Sequence, residues 1–120
     1  MARRKRYIKG RVYYTNDRFL VKGGKKKRRI VAMNNDKENM AVRRISSLYD
    51  KNGNRKKRLS PIEKYPDIPK ESGVEDKTFR KTVNGKSIKE KYLVKTKTRL
   101  NKWDMARVRK GLNKHKKRES

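Results

Sequence analysis

Ile30-Val31-Ala32-Met33-Asn34-Asn35-Asp36 is the stretch that decides the fold class. Four apolar residues run without a break and then stop at a turn-forming cluster, the pattern of a strand buried on both faces. On its N-terminal side lies Gly23-Gly24-Lys25-Lys26-Lys27-Arg28-Arg29, which reads as a flexible loop loaded with charge. Before that, Phe19-Leu20-Val21 is a short apolar patch. Tyr7-Ile8 and Val12-Tyr13-Tyr14 flank Gly10 and read as a first strand bent at the glycine. On the C-terminal side, Met40-Ala41-Val42-Arg43-Arg44-Ile45 is a further strand. Asp50-Lys51-Asn52-Gly53-Asn54 is a hairpin signal, because Asn-Gly supplies the positive φ angles of a type I′ turn. Leu59 to Ile62 is the expected returning strand. Residues 65–73, with Pro66, Pro69 and Gly73, read as loop. Asn84-Gly85 repeats the turn signal between Phe79…Val83 and Ile88…Leu93.

The clearest helix comes last. Asn101 is a good N-cap, and Asp104 three residues on completes a capping-box-like pattern. Met105, Val108 and Leu112 then fall on one helical face. The expected architecture is mainly β with a C-terminal helix (α+β), a small curled sheet or barrel over residues 7–112. Its closing helix covers about 101–112. A basic arm (1–6) and a basic tail (113–120) flank it.

Composition narrows the partner. Lys and Arg number 40 against 12 acids, a formal charge of +28 on 120 residues. A compact body holding that charge repels itself, and phosphates replacing its counterions relieve the repulsion. An anionic membrane is the competing polyanion, but no long stretch reads as an amphipathic basic helix and none as a transmembrane segment. Ala2-Arg3-Arg4-Lys5-Arg6 has the basic character of a signal-peptide start, yet no apolar run follows. There is no cysteine, which fits a reducing cytosol, so a cytoplasmic location is expected. Leu, Ile, Val and Phe make up only 22 of 120 residues, a composition at the edge of disorder. Six tyrosines, clustered apolar residues and turn signals between the clusters argue for a fold.

Four segments resemble the MazF/PemK toxin family. Lys9-Gly10-Arg11-Val12-Tyr13-Tyr14 is similar to its opening strand. Lys27-Arg28-Arg29-Ile30-Val31-Ala32-Met33-Asn34-Asn35-Asp36 is similar to its next motif, an Arg-Pro, an apolar strand and Asn-Asp. Val42-Arg43-Arg44-Ile45-Ser46-Ser47 stands where the family has a strand ending in Pro-Ile-Thr-Ser. Leu100-Asn101-Lys102-Trp103-Asp104-Met105-Ala106-Arg107-Val108 resembles its closing helix. The resemblance implies an SH3-like barrel, a homodimer, an acidic antitoxin as partner, and metal-independent cleavage of single-stranded RNA. There the RNA's own 2′-hydroxyl attacks the adjacent phosphate. Carried over by position, the family's phosphate-serving Arg and Thr fall on Arg28 and Ser46. The family's Pro after the Arg is Arg29 here, its Pro before the Thr is Arg44, and residues 50–95 match poorly.

The residues themselves mark a binding surface. Lys25, Lys26, Lys27, Arg28 and Arg29 are five consecutive cations, suited to phosphate contact. Arg43 and Arg44 alternate on a strand beside Ser46 and read as a basic groove, or as a charged edge strand. Tyr13, Tyr14, Phe19, Tyr49 and Trp103 are the aromatics that could stack on bases, most of them needed for the core. Tyr13 and Tyr14 point to opposite faces, so one of the pair is expected at the surface, and Tyr14 is taken as the base-stacking residue. No metal or other cofactor is expected, with no cysteine and one histidine, His115, in the basic tail. The partner is a nucleic acid, with RNA favoured over DNA. Three functions stay open: phosphate-backbone binding without cleavage, the endoribonuclease activity that Arg28 and Ser46 serve in the family, and a structural place in a ribonucleoprotein.

Overall fold

The computed structural model describes residues 7–119, with side chains through Lys110, so the basic arm expected over 1–6 lies outside the described residues. Six strands form one antiparallel sheet: β1 (Arg11–Asn16), β2 (Lys27–Ala32), β3 (Val42–Ser47), β4 (Leu59–Ile62), β5 (Ser72–Phe79) and β6 (Val94–Arg99). Side by side they run β4-β5-β3-β2-β1-β6. One helix, α1 (Lys102–Glu119), follows the last strand. The protein is therefore mainly β with a C-terminal helix. The helix does not stop at 112. It continues through most of the segment read as a basic tail, because Lys and Arg are good helix formers and one internal glycine costs only about 1 kcal/mol.

The run Ile30-Val31-Ala32 lies on the inner strand β2, and all three residues are fully buried. Alternation along the strand sends Ile30 and Ala32 to one face and Val31 to the other. The first face gathers Tyr13, Met40, Val42, Phe79 and Ile88. The second gathers Val12, Ile45, Ile62 and Val74 under Leu100, Met105 and Val108. Two small cores, one on each side of a single sheet, account for how a chain so poor in aliphatic residues folds. Nearly every large apolar side chain of β1 to β3 is used, and neighbours such as Val12 and Tyr13 serve opposite clusters.

The helix start follows its expected cap. Asn101 Oδ1 accepts the Asp104 backbone N–H at 2.8 Å. The return arm of the capping box is supplied by another residue. The Tyr65 hydroxyl oxygen accepts the Asn101 N–H (2.9 Å) and donates to the Asp104 carboxylate (2.5 Å).

Several expectations are corrected by the strand pairings. β1 begins only after Gly10, whose φ of 89° makes a turn rather than a bend within a strand. Lys27, Arg28 and Arg29 belong to β2 and not to the preceding loop, because they pair with Asn16, Thr15 and Tyr14 of β1. The Asn52-Gly53 turn forms, with Gly53 at φ 81°, but it closes only the bridge between Tyr49 and Arg55. Leu59–Ile62 is a strand whose partner is β5, which lies between it and β3. The Asn84-Gly85 turn also forms, joining one isolated bridge from Lys81 to Ser87 rather than two strands. Residues 72–79 and 94–99 form strands that their patterns do not announce. No helix among the described residues is long and apolar enough to cross a membrane.

Candidate nucleic-acid interface

β2 and β3 run antiparallel with Ile30 opposite Arg44. Alternation therefore puts Arg28, Arg44 and Ser46 on the face that also carries Ile30 and Val42. At the end of that face the apolar cluster gives way to a network of charges. Arg28 donates to the Ser46 hydroxyl oxygen (3.1 Å) and to Asp17 (3.3 Å). Arg44 donates to Glu75 through Nε (3.0 Å), pairs with it again at 2.8 Å, and reaches Asp17 at 3.2 Å. Ser46 donates its hydroxyl proton to Glu75 at 2.5 Å. The two residues singled out for the phosphate, Arg28 and Ser46, are thus in direct contact, and Glu75 completes the chain Arg28–Ser46–Glu75.

Local structure places the two carboxylates. Asp17 opens a 3-10 turn (Asp17–Phe19) directly after β1 and is buried. The loop that follows folds back against this turn at Gly24. A Cβ there would lie 2.5 Å from the Arg18 backbone nitrogen, so only glycine allows the approach. Glu75 comes from β5, whose pairing with β3 carries an irregularity between Arg43 and Ile45.

Beside the network opens a cleft of about 490 Å³. Arg28, Lys56, Lys57, Arg58 and Lys77 line it, against the carboxylates Glu75 and Asp76. Glu75 already has Arg44 as its counter-ion, so the cleft keeps a cationic excess. Arg58 has φ 60°, the left-handed region that costs a non-glycine residue about 1 kcal/mol. Its carbonyl accepts the Asp76 N–H at 3.3 Å. Among the described residues, Arg28 Nε and Asp76 Oδ2 are buried without a hydrogen-bond partner, and the Asp76 carboxylate acts on Arg43. A phosphate needs an array of donors, and the lysine and arginine side chains that line the cleft offer one.

The eight residues expected to bind nucleic acid divide among several places. Arg28 lines the cleft, and Arg44 stands behind it as the clamp between Asp17 and Glu75. Lys25 and Lys26 are exposed in the loop before β2, and Lys27 is exposed at its first position. Arg29 points to the other face, where its guanidinium carbon sits 5.3 Å from the Tyr14 ring centre and Nε donates to the Tyr14 hydroxyl at 3.2 Å. Arg43 lies under the helix. It donates to the Val108 carbonyl (2.9 Å) and the Thr78 hydroxyl (2.8 Å), and burial holds its pKa below the ordinary value against the opposing pull of Asp76.

Part of this cleft carries a signal in the sequence itself. Arg55-Lys56-Lys57-Arg58 is nearly as dense in charge as residues 25–29, and Asp17 is the only acid in the first 35 residues. Glu75 had no such mark, because residues 72–79 show no clear alternation. Among the described residues, no three His, Cys, Asp or Glu side chains are grouped to hold a metal ion.

A second charged cluster lies where β1 meets β6. The Tyr13 hydroxyl donates to Glu90 at 2.7 Å, with Lys95 at 3.7 Å and Lys37 at 4.0 Å from the same carboxylate. Burial works against ionisation of Glu90. The Tyr13 hydrogen bond and the cations Lys95, Lys37 and Arg11 outweigh it and hold the carboxyl below its ordinary 4.5. A depressed carboxyl contributes stability that is complete above the unfolded value and is lost as pH falls through the folded one. Glu90→Gln should therefore lower stability by about 1 kcal/mol at neutral pH and flatten the decline in melting temperature below pH 4.5. A wild-type acid limb unchanged in the variant would show that Glu90 is not its source.

The fold and the site together define a small antiparallel β protein with a cationic cleft at one end of its sheet. No protein-family model, no curated protein and no solved structure matches the chain.

Proposed function

We propose that the protein binds the phosphate backbone of a nucleic acid, RNA before DNA, in the cleft between β2, β5 and residues 56–58. The observation that carries this reading is the cleft's charge: five cations against two carboxylates, one of which is already paired to Arg44. A total charge of +28 supports it. A six-stranded antiparallel sheet with a closing C-terminal helix is compatible with the MazF/PemK-like, SH3-like barrel that the sequence motifs suggest, and that barrel is part of the proposal.

Salt dependence tests it. Each phosphate contact contributes about −0.9 to the log–log slope of affinity against salt on duplex DNA and about −0.7 on single strands. Five cleft cations therefore lead to a slope of about −4 or steeper on duplex. Lys56→Ala with Lys57→Ala should make it shallower by about 2. Binding that is flat from low to physiological salt would overturn the proposal.

A second reading, metal-independent endoribonuclease, is favoured by the Arg28–Ser46–Glu75 contact. In it the 2′-oxygen bonds to phosphorus, the bond to the 5′-oxygen breaks, and a 2′,3′-cyclic phosphate and a 5′-hydroxyl result. Arg28 supplies positive charge to the phosphate, Glu75 takes the 2′ proton, and solvent protonates the leaving oxygen. A homodimer and an acidic antitoxin belong to this reading. Long single-stranded RNA incubated in EDTA separates the two. Fragments with cyclic-phosphate ends that disappear in Arg28→Ala support cleavage. Intact RNA at high protein concentration leaves binding alone.

A further inference from the structure

A concavity of about 300 Å³ opens on the other side of the basic loop, between the end of β1, the start of β2 and the start of β6. Tyr14, Thr15, Asn16, Lys27, Tyr92 and Val94 line it. Two of its apolar members are among the six exposed large hydrophobic residues of the described chain. Tyr92 is 52% exposed and Val94 63%. Pairing explains how they meet, since Val94 stands opposite Tyr14 in the β1–β6 register. Tyr92 ends the 3-10 turn (Glu90–Tyr92) just before β6. Both rings are held in place. Tyr92 meets Phe19 edge-on, with centroids 6.1 Å apart at 70°, and Tyr14 carries Arg29 over its ring.

The charge around the concavity has one sign. Among the described residues Lys27 is the only charged one in the lining and no carboxylate lines it; Arg29 stacks on Tyr14, and Lys91 sits 5.6 Å from the Tyr92 ring centre. Further along β6, Lys95, Lys97 and Arg99 are exposed, a charged edge that discourages addition of a peptide strand. The occupant that matches two aromatic rings ringed by cations is flat, apolar on its faces and attached to an anion.

We propose that this concavity takes one unstacked nucleobase, with its flanking phosphate on Lys27, so that the preferred ligand is a single strand. The inference rests on the backbone-binding reading above and adds to it a site for one base. Every base has a π-face, so stacking of this kind is tolerant of sequence. A duplex keeps its base faces covered, and exposing one costs a few kcal/mol, so a duplex gains nothing from the concavity.

The test uses the full chain and a single-stranded RNA oligonucleotide carrying 2-aminopurine, with the same strand annealed to its complement as the comparison, at one fixed salt concentration. Tyr92→Ala should weaken single-strand binding about 5- to 150-fold, the worth of one base–aromatic stack. It should also abolish the quenching of 2-aminopurine fluorescence and leave duplex binding and the salt slope unchanged. Tyr92→Phe should preserve both signals. Val94→Glu, at a position open enough to accept the change, should weaken single-strand binding by repelling the phosphate. If Tyr92→Ala and Val94→Glu leave single-strand affinity intact, or Tyr92→Ala weakens both forms equally, the base site is overturned while backbone binding stands. Wild-type binding that is flat with salt overturns the backbone reading, and the base site with it.

Discussion

Replacing Arg44 with methionine is expected to lower the unfolding free energy by about 3 kcal/mol and the melting temperature by roughly 10 °C. Methionine keeps much of the side-chain volume over Phe79, whose ring centre lies 5.4 Å from the Arg44 guanidinium carbon, so the loss is mainly electrostatic. Arg44 is one-fifth exposed and stands between two carboxylates that approach β3 from different elements, Asp17 after β1 and Glu75 on β5. Without it Asp17 keeps only Arg28, and Glu75 keeps only the Ser46 hydroxyl. Two largely buried carboxylates are then left with one cation, Arg28 on Asp17, and removing one partner of such a network costs far more than the pair is worth as a whole. Arg44→Lys should recover less than half of the loss, because a single ammonium cannot span both carboxylates as a planar guanidinium does. Adding Asp17→Asn to Arg44→Met should cost less than the sum of the two single changes, as expected for residues in one network. Thermal unfolding decides the matter. A variant melting within about 2 °C of wild type would mean that the network does not hold the strands together.

Asp104→Ala is expected to cost about 3 kcal/mol in chemical denaturation. Asp104 is fully buried beneath the helix start. Its carboxylate accepts the Tyr65 hydroxyl (2.5 Å), the Glu63 backbone N–H (3.0 Å) and Arg107 (3.1 Å). Alanine leaves the first two donors without a partner, and each carries a desolvation penalty of about 1–3 kcal/mol. Burial raises the Tyr65 pKa to about 12, helped by the bond to Asp104, so this hydroxyl is a donor throughout the working range. The loss should spread beyond the helix terminus. Met105 and Val108 bring α1 onto the second core, and α1 packs against β4 and β5, the strand that carries Glu75. Tyr65→Phe should cost less, about 2 kcal/mol, because Asp104 keeps two other partners and only the Asn101 N–H loses its acceptor. An Asp104→Ala protein as stable as wild type to within 1 kcal/mol would refute the role assigned to this carboxylate.

Particular residues show where the sequence was legible. The unbroken run Ile30-Val31-Ala32-Met33 demanded cover on both faces; its first three residues have it, while Met33, past the end of β2, is only partly buried. Asn101 was recognisable as a cap because capping depends on residues only three apart. The Asn-Gly turns were legible for the same local reason. The capping box misled in one arm, because Tyr65, 36 residues away, took the place expected for Asp104. β6 was illegible, since Val-Lys-Thr-Lys-Thr-Arg carries little apolar alternation and owes its strand to pairing with β1. β5 was illegible likewise, and the partner of β4 was missed with it.

Before any folding, the sequence determined the cationic excess, the mainly β character and the start of the closing helix, all from composition and short-range spacing; Arg28 and Ser46 were singled out by the resemblance alone. Tertiary structure alone decided what those residues touch. Period-two alternation says that Arg43 and Arg44 part company, but only strand pairing sends Arg43 to the helix and Arg44 to Asp17 and Glu75. Likewise, only the insertion of β5 between β3 and β4 brings Glu75 to Ser46 and the charges of residues 56–58 to Arg28. The physical reason is that charge and periodicity belong to the chain locally, whereas a cleft is made by contacts between residues about 10 to 50 positions apart, whose pairing is set by which apolar faces can be buried together.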